Sequence, residues 1–138
     1  MWSIDRVRGA DLDIDEVLEV YRSSGLGQRR PIEDIERFGA MVRNANLIIE
    51  CRINGTMIGI ARSVSDFSYV TYLSDIAVSR PHQRSGIGKA LIERILKEAP
   101  SAKIVLLSAP AAQDYYPHIG FSRHDSAWVL NPGRPLSI

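Results

Sequence analysis

A single cysteine, Cys51, stands among the 138 residues, so no disulfide can form within the chain and no CxxC metal site exists. It lies in the apolar stretch from Leu47 to Ile53, where a buried structural thiol is its ordinary role. No apolar run approaches the ~20 residues that a membrane-spanning helix needs. The opening residues, Met1-Trp2-Ser3-Ile4-Asp5-Arg6, lack the apolar centre of a secretory signal. These absences lead us to expect a cytoplasmic protein with no membrane partner. A dominant charge is missing too, since 17 basic and 16 acidic residues leave a formal net charge of +1. The one adjacent basic pair is Arg29-Arg30. A nucleic-acid surface needs a concentrated basic face, so nucleic acid is not an expected partner. His82, His118 and His124 fall in three separate turns without metal-ligand spacing, and no metal is expected.

What is present is an ordinary globular composition, with 45% apolar and 24% charged residues. The length fits one domain over residues 1–138, with Pro132, Gly133 and Pro135 making 132–138 an irregular tail. Trp2 to Arg8 reads as a short first strand. Asp13 can cap a helix carrying Ile14, Val17, Leu18 and Tyr21 on one face, with Glu16 reaching back to the cap and Gly25 and Gly27 ending the run. Pro31 suits the first position of a second helix, whose apolar stripe is Ile32, Ile35, Phe38 and Val42.

Strands follow over Leu47–Ile53 and Thr56–Ser65, joined at Asn54-Gly55, the preferred two-residue hairpin turn. A third runs from Tyr69 to Val78 after a turn at Asp66 to Ser68. Gly86 to Glu98 then forms a helix with Ile87, Leu91, Ile95 and Leu96 on one face, stopped by Pro100. Lys103 to Ser108 is almost wholly apolar, which predicts a strand buried on both faces. Ala111 to His118 reads as a short helix ending at Gly120. Phe121–Arg123 and Ala127–Leu130 read as two closing strands. Alternation after an antiparallel meander predicts an α/β (α+β) fold, with a mixed, mostly antiparallel sheet of six to seven strands and helices on both faces.

The stretch from Asp75 through Leu91 concentrates the chemistry. A strand ends at Val78, a polar loop turns, and Gly86 and Gly88 open an amphipathic helix. The first four amides of a helix lack intrahelical partners, and the macrodipole adds partial positive charge there, so such a place binds phosphate. Glycines keep side chains out of the way, and Arg84 and Lys89 can add charge. A plain strand-to-helix turn with tightly packed glycines is the alternative. A Walker A loop requires a glycine where Gln83 stands and Ser or Thr where Ala90 stands, and a dinucleotide fingerprint requires Gly or Ala in place of Leu91.

Gln83-Arg84-Ser85-Gly86-Ile87-Gly88 fits the pattern Gln/Arg-x-x-Gly-x-Gly/Ala, and Tyr116-Pro117-His118-Ile119-Gly120-Phe121 fits Tyr-x-x-x-Gly-Phe. With these two motifs in this order, the chain resembles the GNAT superfamily of N-acetyltransferases, across elements running from the first strand to about Leu130. The resemblance implies transfer of an acetyl group from acetyl-coenzyme A to a primary amine by direct attack. It implies that Gln83, Arg84, Ser85, Gly86, Ile87, Gly88 and Lys89 form the diphosphate loop. The backbone of the Ile76-Ala77-Val78 segment would pair with the pantetheine arm between splayed strands. Tyr116 takes the position of the general acid, while Tyr115 belongs in the core and Asp114 on the surface. A strand glutamate that serves many relatives as base is absent. Asp75 is the only carboxylate there, as a base or water-holding group provided a strand distortion turns it, and Ser74 is a second candidate for holding water.

The acceptor would be a small-molecule or peptide amine, with the loop Gly25 to Arg30 setting specificity and Arg29 and Arg30 available to an anionic group on it. Relatives often form homodimers, so a homodimer is among the expectations. Two other readings stay open: a coenzyme A-binding sensor without catalysis, and an interaction protein keeping only the scaffold.

Overall fold

A hairpin is the centre of the molecule. The computed structural model describes residues 1–137. Strand β2 (Leu47–Ile53) turns at Asn54 and Gly55, both at positive φ (50° and 81°), into β3 (Thr56–Ser65). β1 (Ser3–Val7) joins one side and β4 (Val70–Val78) the other, all antiparallel, and β5 (Lys103–Val105) adds in parallel to give the order β1-β2-β3-β4-β5. Helices α1 (Ile14–Ser24) and α2 (Ile35–Asn44) connect β1 to β2, and α3 (Ile87–Glu98) connects β4 to β5. By its contacts the chain forms two compact units, Met1–Leu107 and the residues from Ser108 on.

Alternation along the strands divides the first unit's core between two faces. Ile48, Ile60 and Ala77 pack with Val17, Val20, Tyr21, Phe38 and Val42 of α1 and α2. Tyr21 and Phe38 meet edge to face with centroids 4.9 Å apart. On the opposite face Gly59 and Cys51 lie against Ile87 of α3, close enough that a Cβ at Gly59 would stand 3.2 Å from Ile87 Cγ2. Cys51 is fully buried there, and burial, with the Glu50 charge adding to it, pushes its thiol up to about 11. α1 begins at Asp13, whose carboxylate accepts from the Asp15 amide, and ends at Gly25 in the left-handed conformation (φ 92°).

Several expectations are corrected. Among the described residues the sheet has five strands, not six to seven. Phe121–Arg123 and Ala127–Leu130 are irregular, and residues 122–137 are exposed throughout, so pairing them would bury nothing. The strand from Lys103 stops at Val105 and is not buried on both faces, with Val105 42% and Leu107 49% exposed. α2 starts after Asp34, which caps it by accepting from the Arg37 amide, because a carboxylate cap satisfies a free donor that Pro31 cannot. Its stripe consequently loses Ile35, which is exposed. On α3 it is Ile92, not Leu96, that joins Ile87, Leu91 and Ile95 inside. Glu16 does not close a capping box but binds Arg52 at 2.7 Å, which lowers its pKa.

A 3-10 turn at Gly9–Asp11 runs against the end of α2, and a Cβ on Gly9 would lie 1.9 Å from the Val42 carbonyl oxygen. Backbone cannot yield as a flexible side chain would. Gly9→Ala is therefore expected to cost about 1–3 kcal/mol of stability. The check is urea unfolding, where the midpoint falls and the slope stays unchanged.

Candidate functional site

After Val78 the chain passes through a 3-10 turn at Arg80–His82 and two residues at positive φ, Arg84 (63°) and Gly86 (88°), before α3 begins. The first helical backbone bond is donated by Ala90 to Gly86 oxygen. Among the described residues, the amides of Arg84 through Lys89 donate to no backbone carbonyl, as the start of a helix requires. A Cβ at Gly86 would meet nothing within 4 Å, so glycine is required there by the backbone conformation and not by space. The Ser85 hydroxyl donates to the His82 carbonyl, closing the loop on itself. Gln83 Nε2 donates to Val78 oxygen at 2.8 Å and to Ser24 oxygen at 3.4 Å, tying the loop to β4 and the end of α1. Ile87 turns inward and is buried, so only its amide is available to a ligand.

β4 itself is half-covered. Its ladder with β5 has three pairs, Val70 with Lys103, Thr71 with Ile104 and Tyr72 with Val105. Among the described residues, no strand pairs with that edge from Leu73 to Val78. Ser79 N donates to Ile58 oxygen, and antiparallel pairs alternate, so Ala77 turns its N–H and C=O to β3 while Ile76 and Val78 turn theirs to the open side. An extended ligand arm laid along this edge would find the Ile76 groups and the Val78 N–H, with the Val78 carbonyl already held by Gln83.

Ser74 is an extra residue in β4: Arg62 pairs with Asp75 and Ser63 with Leu73. This bulge changes the phase of the strand, so Leu73 and Asp75 point to opposite faces although they are two residues apart. Asp75 turns toward α1 and its side chain has no exposed surface. Its Oδ2 accepts from Tyr21 OH and Arg62 Nε, both at 2.6 Å, and its Oδ1 accepts from Arg30 Nε at 2.6 Å and the Ser74 hydroxyl at 3.2 Å. Burial, the largest single influence, would raise its pKa, but the charge and hydrogen bond of Arg62, the Tyr21 hydrogen bond and the Arg30 charge together outweigh it, and the net direction is downward. Tyr21 moves the other way, raised by burial and by the Asp75 charge. Arg30 also donates to Ser74 oxygen at 2.9 Å, so it is committed to β4, whereas Arg29 is exposed. Sequence reasoning placed Asp75 and Ser74 in the site but missed Tyr21, Arg62 and the Arg30 anchor. A buried carboxylate in a strand was the signal that cationic partners must exist.

Tyr116 belongs to the second unit, on the short helix α4 (Tyr115–His118). The expected Ala111–His118 helix is broken into this turn and a 3-10 turn at Pro110–Ala112. Tyr116 is half-buried between Tyr115 and Phe121, with ring centroids 5.3 Å and 5.4 Å away. Burial raises its pKa, and Tyr115 adds to the shift. Tyr115 is 38% exposed and is not the core residue expected, while Asp114 is on the surface. Among the described residues no group of three His, Cys, Asp or Glu could hold a metal ion. No described helix is long and apolar enough to cross a membrane. A cleft of about 780 Å³ is lined by residues of β1, β2, the Gly9–Asp11 turn and the end of α2, and by none of the loop before α3.

An antiparallel meander whose fourth strand leads through a glycine-bearing loop into a helix defines a class of protein. A model of the acetyltransferase (GNAT) family matches residues 14–121. The chain belongs to that family. It is similar to an uncharacterized N-acetyltransferase, ycf52, of Gracilaria tenuistipitata var. liui, at 29% identity over 97 residues covering 67% of this chain and 53% of the relative. The chain thus spans about half the length of that curated relative. Among solved structures, a GNAT-family acetyltransferase from Streptococcus pneumoniae TIGR4 superposes with a TM-score of 0.72 at 19% identity, covering 94% of this chain and 98% of that one. An aminoglycoside acetyltransferase from an uncultured soil metagenomic sample, in complex with sisomicin, has a TM-score of 0.66 at 17% identity, covering 99% and 97%. These structures share the fold.

The Asp75 cluster yields a stability prediction. Asp75→Asn leaves two guanidiniums without their counter-charge, and breaking a buried pair in this way costs about 3–5 kcal/mol, an upper range because Arg30 keeps some solvent. A depressed folded-state pKa means that the charge stabilises fully above the unfolded value near 3.9 and loses that contribution as pH falls through the folded value. Denaturant titrations are expected to show a constant difference between parent and variant at neutral pH that shrinks below about pH 4. A difference that grows in acid would contradict the assignment.

Proposed function

We propose that this protein is an N-acetyltransferase that moves an acetyl group from acetyl-coenzyme A to a primary amine by direct attack. The observation that carries the reading is the junction of two unfilled surfaces, the free amides at the start of α3 and the uncovered edge of β4 beside them. Such a junction suits a ligand with a diphosphate at one end and an amide-bearing arm at the other. The amides of Arg84 through Lys89 would receive the diphosphate, with the Arg84 and Lys89 side chains adding charge. Ile76 and Val78 would hold the arm as an added strand would be held, while Ala77 keeps that strand on β3 and Gln83 braces the loop. Bound acetyl-coenzyme A supplies the acyl thioester.

The chain's own residues supply position and protons. A free thiol has a pKa near 8.5, so a group that protonates the departing sulfur assists its release. Tyr116 is that group in this reading, because a phenol whose pKa is raised stays protonated at neutral pH and can donate. Asp75 has a lowered proton affinity and four donors on its two oxygens, which suits it to organising the strand and not to taking a proton. Ser74 gives its hydroxyl proton to Asp75 and accepts from Arg62 at 2.8 Å, leaving one lone pair for a water. The attacking amine would enter neutral, form the C–N bond as the C–S bond breaks, and lose one of its two N–H protons to water. The acceptor is a primary amine on a small molecule or peptide, and the aminoglycoside complex among the structural neighbours illustrates one such class.

The engagement of the only β4 carboxylate also favours a second reading, a coenzyme A-binding sensor that does not turn over. Calorimetric titration with acetyl-coenzyme A tests both. Gly88→Glu should keep the fold, since a first-turn glutamate suits the helix dipole, yet repel the diphosphate and weaken binding by about 100-fold. Tyr116→Phe should lower kcat about 100-fold with little change in KM for acetyl-coenzyme A. Binding without turnover on a panel of amines would establish the sensor, and a folded parent that binds nothing would remove both readings.

A further inference from the structure

The open edge of β4 has two ends, and the chain's own side chains occupy both. At the Val78 end, Gln83 Nε2 holds the Val78 carbonyl at 2.8 Å. At the other end, Arg30 Nη2 holds the Ser74 carbonyl at 2.9 Å, two residues beyond Tyr72, the last β4 position paired with β5. The span from Val78 to Ser74 is about 13 Å at ~3.3 Å per residue. Because β4 leads at Val78 into the loop that opens α3, a ligand anchored there by its diphosphate would enter at the Val78 end. Its far end then points toward Ser74.

We propose that Arg30 is the stop at that far end, a specificity-determining residue that restricts the acyl donor to short chains. The inference rests on the acyltransferase reading above and adds what limits its donor. Three contacts fix the guanidinium: Nε to Asp75 Oδ1 at 2.6 Å, Nη1 to the Arg29 carbonyl at 2.8 Å, and Nη2 to Ser74 oxygen. A longer acyl chain extending past Ile76 meets this group and not an apolar tunnel. To swing aside, Arg30 must leave a carboxylate that has no exposed surface, and a desolvated charge does not readily give up a partner. Past Ser74 the strand edge is closed by the β5 pairs at Tyr72, Thr71 and Val70. An acetyl group needs none of that space, whereas a hexanoyl chain would have to place its methylenes against a charged, fully engaged side chain.

The test is calorimetric dissociation constants for free coenzyme A and its acetyl, butyryl and hexanoyl thioesters, measured on the parent, Arg30→Ala and Arg30→Lys. The parent should lose about tenfold in affinity from acetyl to hexanoyl, the scale on which a pocket discriminates a few methylenes. Arg30→Ala should bring that ratio close to one while its affinity for free coenzyme A stays within about threefold of the parent, because the diphosphate loop is untouched. Arg30→Lys keeps a charge for Asp75 and preserves the fold if the alanine variant does not, and it should give an intermediate ratio. A parent without chain-length dependence, or variants that bind free coenzyme A normally and keep the parent's ratio, would overturn the assignment of Arg30 alone. A parent that binds no coenzyme A species would take the acyltransferase reading down with it.

Discussion

A carboxylate with no exposed surface in the middle of β4 constrains much of the first unit. Desolvating an ion costs several kcal/mol even after the protein relaxes, so Asp75 can sit there only if other groups restore what water gave it. They come from separate parts of the chain: Tyr21 from the middle of α1, Arg30 from the loop after it, Arg62 from the neighbouring strand, and Ser74 from the bulge. Each of these contacts is a position that the backbone must reach. An apolar replacement of the cluster need not be less stable, because repaid desolvation rarely leaves a surplus. What the charge supplies is registration, since a loop that would otherwise lie on the surface is tied to one point on one strand.

That point is where β4 changes phase. Without the extra residue at Ser74, Asp75 would share a face with Leu73 and its side chain could not meet Tyr21 and Arg62 together. The bulge lets an apolar residue face α3 and a charged one face α1 within three positions. It also marks where β4 separates from β5, whose ladder ends at Tyr72. The strand therefore divides at Ser74, with pairing to β5 before it and, among the described residues, no paired strand on that edge after it.

Much of this was legible in the sequence wherever a local rule decides. Asn54-Gly55 gave its hairpin because both residues must take positive φ, and the two strands beside it have the expected bounds. Gly86 and Gly88 marked the start of α3 because helix starts have their own chemistry. The misses come from contacts between distant residues. Glu16 could have closed a capping box by local spacing, yet Arg52 on β2 offers it a full charge and prevails. Arg30 looked like a free cation facing an acceptor, since nothing near it in sequence announces Asp75. The irregular stretches after Gly120 have strand-like composition, but composition forms strands only where a partner and a buried face are available.

An uncovered strand edge is a liability, because its free N–H and C=O groups will pair with any extended chain. β4 leaves such an edge over its C-terminal part, and side chains from elsewhere in the chain protect it. Gln83 and Arg30 each take one carbonyl, at opposite ends of the gap. A passing peptide strand needs several consecutive partners to bind and finds the sequence of acceptors interrupted twice. A ligand that needs only the Ile76 groups and the Val78 N–H, and brings a diphosphate for the neighbouring helix, is not penalised by those interruptions. The same two side chains therefore interrupt the row of acceptors at both ends of the gap, and in the reading proposed above protection of the edge and selection of its ligand would follow from one arrangement.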